Sequence, residues 1–225
     1  MILVTGSNGK IGSSVIELLV KEKNNFIRTI RSEHYQIIDN SCIGLDLLNK
    51  NHVKKLFNSF NFKHLIHLAV TRNPLHIKDI RNFSTLERDT SMTLNLLKFC
   101  HNLKSIVFTS SASIYELPDV NDSVRREKIA NEISKFLKKR NKKKIKIATI
   151  SNRKRTNLKI NPIFHQNSNK RLNASNKLIN ELLLISFCFE KKIPLYILRP
   201  FYIIETLKEK RILKNKLKLA QKNQN

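Results

Sequence analysis

Apolar residues along this chain fall into short blocks that alternate between strand and helical spacing. ILVT at Ile2 to Thr5 is a run of β-formers, and after a glycine-rich turn SSVIELLVKE carries its apolar residues at helical intervals. NNFIRTIRS gives a second strand at Phe26 to Ile30. CIGLDLLNK supplies a short strand at Ile43 to Leu45, ending at Asp46, before an amphipathic helix that carries Val53, Leu56 and Phe57. HLIHLAV predicts a strand over Leu65 to Ala69, and two further strands are expected at Ile106 to Thr109 and Leu195 to Leu198. Alternation of this kind predicts a doubly wound parallel α/β sheet with right-handed crossovers and helices on both faces.

The turn after the first strand, TGSNGKIG, narrows the reading. The chain has four glycines, and three of them are Gly6, Gly9 and Gly12. Between a strand and a helix this spacing has a physical use. One glycine permits the tight turn, one lets backbone approach a pyrophosphate, and one lets the helix pack close to its strand. N–H groups from Asn8 through Lys10 to Ile11 then face the phosphates at the positive end of the helix. The residue that reads the adenosine ribose is expected at the end of the second strand. An NAD binder usually places a carboxylate there, whereas this chain has Ile30, Arg31 and Ser32. An arginine can pair with a 2′-phosphate, so the cofactor is NAD or NADP with Arg31 favouring NADP. The competing reading is one more surface arginine in a basic chain.

The formal net charge is +26, with 43 Lys and Arg against 17 Asp and Glu. Such a balance suits nucleic acid or an anionic lipid surface. AT-rich coding offers a second cause, since lysine, asparagine and isoleucine are abundant together. No stretch reads as transmembrane, and the start is a strand and turn rather than a leader, so a cytoplasmic protein is expected. Cys42, Cys100 and Cys188 are too far apart to suggest a disulfide framework or zinc site. His64 and His67 fall on opposite faces of their strand, which argues against a metal pair and for flanking or capping roles.

Several ordered segments together resemble the extended short-chain dehydrogenase/reductase superfamily, in particular the NAD-dependent nucleotide-sugar epimerases and dehydratases. They are TGSNGKIG, LDLLNK, HLIHLAV, SIVFTSSASIY, and NKLINELLL with IPLYILRPFYI after it. The resemblance implies Asp46 and Leu47 at adenine and Leu68 and Ala69 along the nicotinamide side. It also implies a serine, a tyrosine and a lysine acting together. The tyrosine moves the proton, the lysine binds the nicotinamide ribose and lowers the phenol pKa, and the serine bonds the same substrate oxygen. The serine falls on Ser111 and the lysine on Lys177, but the tyrosine position, one helical turn before the lysine, is Asn173. An amide has no proton to exchange near neutral pH. A second register would put the lysine at Lys128 and the tyrosine position at Val124, and it supplies no phenol either. Tyr115 lies in the loop after the serine strand, where the family often has a non-catalytic tyrosine.

Other departures cluster at the reactive end: Glu116 for a glycine, Asp89 for an asparagine, Tyr202 for an asparagine and Glu205 for a glycine. The expected organisation is a dinucleotide-binding core over 1–120 and a basic insertion over 121–171 projecting from the C-terminal edge of the sheet. A returning helix and strand over 172–205 and a basic tail over 206–225 follow. The insertion lacks interleaved aromatic residues for stacking nucleic acid. The end of the chain suggests that the family's substrate lid is missing. The expected function is a dinucleotide-binding, degenerate relative of nucleotide-sugar epimerases and dehydratases with little or no turnover. The alternatives are an active enzyme with a relocated proton donor, its lid supplied by a homo-oligomer or partner chain, and a non-enzymatic protein acting through its basic surface.

Overall fold

The computed structural model of the chain describes residues 1–71, 82–116, 145–150, 159–160 and 168–200. It opens with β1 (Ile2–Thr5), α1 (Lys10–Lys21), β2 (Phe26–Arg31), β3 (Gln36–Asp39) and β4 (Cys42–Leu45). There follow α2 (Lys50–Ser59), β5 (His64–His67), α3 (Asn82–Phe99), β6 (Ser105–Thr109), a 3-10 turn (Ala112–Ile114) and β7 (Tyr115–Glu116). The last elements are β8 (Ile145–Ile150), β9 (Lys159–Ile160), α4 (Ser168–Glu190) and β10 (Leu195–Pro200).

The main sheet runs β3-β4-β2-β1-β5-β6-β10-β8, and every neighbouring pair is parallel except β3 with β4. The chain works outward from β1 to β2 and β4, then returns across the sheet to β5, β6 and β10. With right-handed crossovers, this reversal puts α1 on one face and α2, α3 and α4 on the other. It also opens a crevice between β1 and β5, where such sheets bind ligands.

Aliphatic side chains of the central strands form the core. Leu3, Ile27, Leu45, Leu65, Ile106 and Ile197 are buried in one cluster with Val53 and Leu56 of α2, Leu96 of α3 and Leu184 of α4. α2 starts where Asn49 caps it, its side chain accepting from the N–H groups of Asn51 and His52. A bidentate ion pair between Glu181 and Arg199, both buried, ties α4 to β10.

The parallel core agrees with the sequence pattern, and the differences lie at its edges. β3 was not expected: all four of its residues are exposed, so no apolar alternation marks it. β5 ends at His67, leaving Leu68 and Ala69 in the following loop, where both N–H groups reach the Thr5 hydroxyl. Residues 145–150, assigned by sequence to a projecting insertion, pair with β10 as the outer strand of the main sheet. The remainder of the insertion apart from β9 and the first residues of α4, the alternative positions Val124 and Lys128, the departures Tyr202 and Glu205 and the tail lie outside the described residues.

Candidate cofactor-binding and active site

The glycine turn is built by two close backbone approaches. Gly6 has φ of 71°, and a Cβ there would stand 2.6 Å from the Ala69 nitrogen. A Cβ on Gly12 would meet the Gly6 carbonyl oxygen at 2.3 Å, so only glycine lets α1 sit this close to the turn. Between them, the Gly9 N–H donates to the Gly6 carbonyl at 3.0 Å, and the buried Ser7 hydroxyl donates to the Thr29 carbonyl at 2.9 Å. Gly9 is the N-cap residue of α1 and offers no side chain to it. No side-chain cap closes the first turn of α1, where the N–H groups of Ile11 and Gly12 have no intrahelical acceptor.

This turn floors a cleft of about 490 Å³ at the C-terminal ends of β1, β2, β4 and β5. Gly6, Asn8 and Gly9 line it from the turn, and Arg31 from the end of β2. Asp46 and Leu47 line it after β4, and Leu68 and Ala69 after β5. Lys10, Ile11 and Gly12 sit on α1 behind this wall. One Asp46 carboxylate oxygen accepts the Leu48 N–H at 3.0 Å, so the aspartate also shapes the loop. Arg28 points elsewhere and pairs with Asp39 at 3.3 Å on the surface.

Ser111 and the Lys177 ammonium lie at a different place, the end of β6. The Lys177 ammonium donates to the Thr109 carbonyl at 2.8 Å and lies 5.0 Å from the centroid of the Phe108 ring. Burial pulls its pKa down to about 8, against the opposing pull of the Asp89 and Glu181 carboxylates. Ser111 accepts the Ser113 N–H at 3.1 Å, and the 3-10 turn that follows packs on α4. No hydrogen bond joins Ser111 to Lys177 among the described residues. Asn173, one turn before Lys177, is exposed.

A family model described as the NAD dependent epimerase/dehydratase family matches residues 2–156. The chain belongs to that family. Among solved structures it is similar to Pal from Bacillus thuringiensis, at 25% identity and a TM-score of 0.58, covering 88% of this chain and 55% of that one. It is also similar to a UDP-glucose 4-epimerase from Thermotoga maritima solved with UDP-glucose, at 16% identity and a TM-score of 0.55, covering 88% and 54%. A GDP-L-fucose synthetase from Naegleria fowleri bound to NADP gives 18% identity, a TM-score of 0.54, and coverage of 88% and 49%. The chain thus spans about half the length of these structures. No curated protein sequence matches it.

In this epimerase/dehydratase chain a buried polar relay, not apparent in the sequence, joins the two ends of the site. The Thr5 hydroxyl lies 2.8 Å from His67 Nδ1, and His67 Nε2 lies 3.1 Å from the Thr93 hydroxyl. Thr93 bonds the Asn180 side-chain oxygen. Asn180 donates to Asn176 at 2.9 Å, and Asn176 donates to one Asp89 carboxylate oxygen at 2.6 Å. The other Asp89 oxygen accepts the Thr71 N–H at 2.6 Å. The pattern is satisfied throughout if His67 carries its proton on Nε2. His67 is thus a buried link between β1 and α3 rather than a residue flanking or capping its strand. The Asp89 side chain, accepting from Thr71 and Asn176, is the far end of this relay. The signal available was the i, i+4 pair Asn176 and Asn180 on one helix face, but nothing in the sequence connects it with His67 or Asp89.

Among the described residues no group of three His, Cys, Asp or Glu could hold a metal, and no helix is long and apolar enough to cross a membrane. Cys42, Cys100 and Cys188 are all free and buried.

Proposed function

We propose that this protein binds NAD or NADP in the cleft at the β1–β5 crevice and lacks the proton-transfer step that completes the family's chemistry. Support for the binding comes from the cradle itself, where Cβ atoms on Gly6 and Gly12 would meet backbone and the first turn of α1 is uncapped. Gly6, Asn8 and Gly9 with the N–H groups of Lys10, Ile11 and Gly12 would hold the pyrophosphate. Arg31 would meet an adenosine 2′-phosphate. Asp46 and Leu47 would flank adenine, Leu68 and Ala69 the nicotinamide side, and Lys177 the nicotinamide ribose. A bound nicotinamide supplies hydride transfer.

The observation that carries the loss of turnover is Asn173. Its amide is exposed one turn from Lys177, where the family's proton-moving phenol stands, and it cannot exchange a proton near neutral pH. Ser111 would still bond a substrate oxygen, and a nucleotide sugar remains the substrate class such a site would receive. Three free cysteines suit a cytosolic setting.

Titration calorimetry with each dinucleotide tests the binding. Heat of binding is expected, with NADP tighter than NAD and the difference removed by Arg31→Ala. Absence of heat from both at millimolar concentration would overturn the proposal.

A further inference from the structure

We infer that Arg88, on α3, is a further anchor of the nucleotide cleft, gripping phosphate oxygens of a bound nucleoside diphosphate from the side away from the glycine turn. The inference rests on the dinucleotide reading above and adds a residue that neither the glycine pattern nor the family resemblance marks.

Arg88 lines the same cleft as Gly6, Gly9 and Arg31, and its Nε is buried with no hydrogen-bond partner among the described residues. An arginine nitrogen removed from water and left unanswered is costly, so the arrangement calls for an acceptor. The carboxylates nearby do not supply one. Asp89, next in sequence, has both oxygens occupied, by the Thr71 N–H and by Asn176. Asp46, across the cleft wall, has an oxygen on the Leu48 N–H and no ion pair with Arg88. Glu87 is exposed and does not pair with Arg88 either.

The position is held. Arg88, Met92 and Asn95 succeed one another at i, i+4 and i+7 along one side of α3. Asn95 donates to the Leu47 and Leu48 carbonyls at 2.9 and 3.0 Å, which pins that side of the helix to the loop after β4. Met92 lines the cleft one turn above, and Arg88 one turn beyond it. With Arg31 and Arg88 against Asp46, the charged side chains of the cleft wall carry a net positive charge, and the ligand they suit is an anion. A planar guanidinium with two edges of donors fits phosphate oxygens better than it fits a neutral base.

The test compares wild type with Arg88→Ala, Arg88→Gln and Arg88→Lys in calorimetric titrations of ADP, NAD, NADP and adenosine over a range of salt. Thermal unfolding of each protein confirms the fold. Arg88→Ala and Arg88→Gln are expected to weaken ADP and the dinucleotides roughly tenfold or more. Arg88→Lys should lose less, adenosine should be unaffected, and the salt dependence of ADP binding should flatten in the uncharged variants. If wild type binds none of the four, this inference falls together with the dinucleotide reading. If wild type binds and the folded variants bind equally well, only the role of Arg88 falls. Equal losses for adenosine and ADP would mean that Arg88 touches the base, which overturns the phosphate assignment.

Discussion

The wall around Gly6, Gly9 and Gly12 is shaped by backbone, whereas the end of β6 around Ser111 and Lys177 is shaped by single side chains. At the glycine turn, the same close contacts that seat α1 against β1 and the loop after β5 also shape the proposed phosphate cradle. The fold cannot form as it is without them. At the other end, Asn173, which the proposal reads as the phenol position, is exposed on α4 and takes no part in the core. Lys177 is intermediate. Its bond to the Thr109 carbonyl ties α4 to the sheet whether or not a cofactor ribose is present. On the proposed reading, the cleft would persist as a by-product of folding after the reactive group beside it was lost.

The largest effect should come from Gly12→Val. Its Cβ would land on the Gly6 carbonyl and the Ser7 backbone, and backbone cannot yield as a flexible side chain does. A loss of about 2–4 kcal/mol in urea unfolding is expected, with dinucleotide binding abolished. A well-folded Gly12→Val protein that still binds would undo the claim that fold and cradle are one structure.

Asp89→Asn comes next. Both carboxylate oxygens accept N–H groups, and an amide would turn a donor toward one of them. The expected loss is about 1–3 kcal/mol by denaturant unfolding. No loss would mean that the relay joining the two ends is easily rebuilt.

The same relay should give a pH signature. Burial, with the nearby Lys177 charge, holds the His67 imidazole down at about 3, against an ordinary value of 6.5. The unfolded chain takes up its proton near 6.5 and the folded chain only near 3. This contribution is therefore complete above pH 6.5 and is lost as pH falls toward 3, at up to about 1.4 kcal/mol per pH unit. Unfolding measured between pH 7 and pH 4 should show that slope, and a His67→Asn variant a shallower one. The smallest change belongs to Asn173→Ala, expected to shift stability by less than about 0.5 kcal/mol and to leave dinucleotide affinity unaltered in calorimetry.

What the sequence revealed follows the same division. Gly6, Gly9 and Gly12 were legible because a chain so poor in glycine keeps them where backbone geometry demands them. The central strands were legible because Leu3, Leu65 and Ile106 belong to apolar runs. β3 was hidden because Gln36 to Asp39 bury nothing. KIKIATIS reads as strand-like from sequence, but its place in the main sheet was hidden, because β8 emerges from a basic stretch and owes that place to β10. His67 and Thr93 carry no periodic signal, and the i, i+4 pair Asn176 and Asn180 names no partner, since their connection exists only once β5, α3 and α4 are packed together. Arg88 could not be told from the other basic residues of so cationic a chain until it was seen to line the cleft with its Nε buried and unpartnered.

Turnover by wild type loaded with dinucleotide tests the central claim most directly. The protein would be incubated with NAD or NADP and a panel of nucleotide sugars, and epimerised, dehydrated or reduced products sought. Since general acid–base groups contribute about 10² to 10⁴ in rate, the expected result is bound dinucleotide with product formation no better than background. Robust turnover that survives Asn173→Ala but disappears in Tyr115→Phe would show that the proton donor has moved, and would contradict the account.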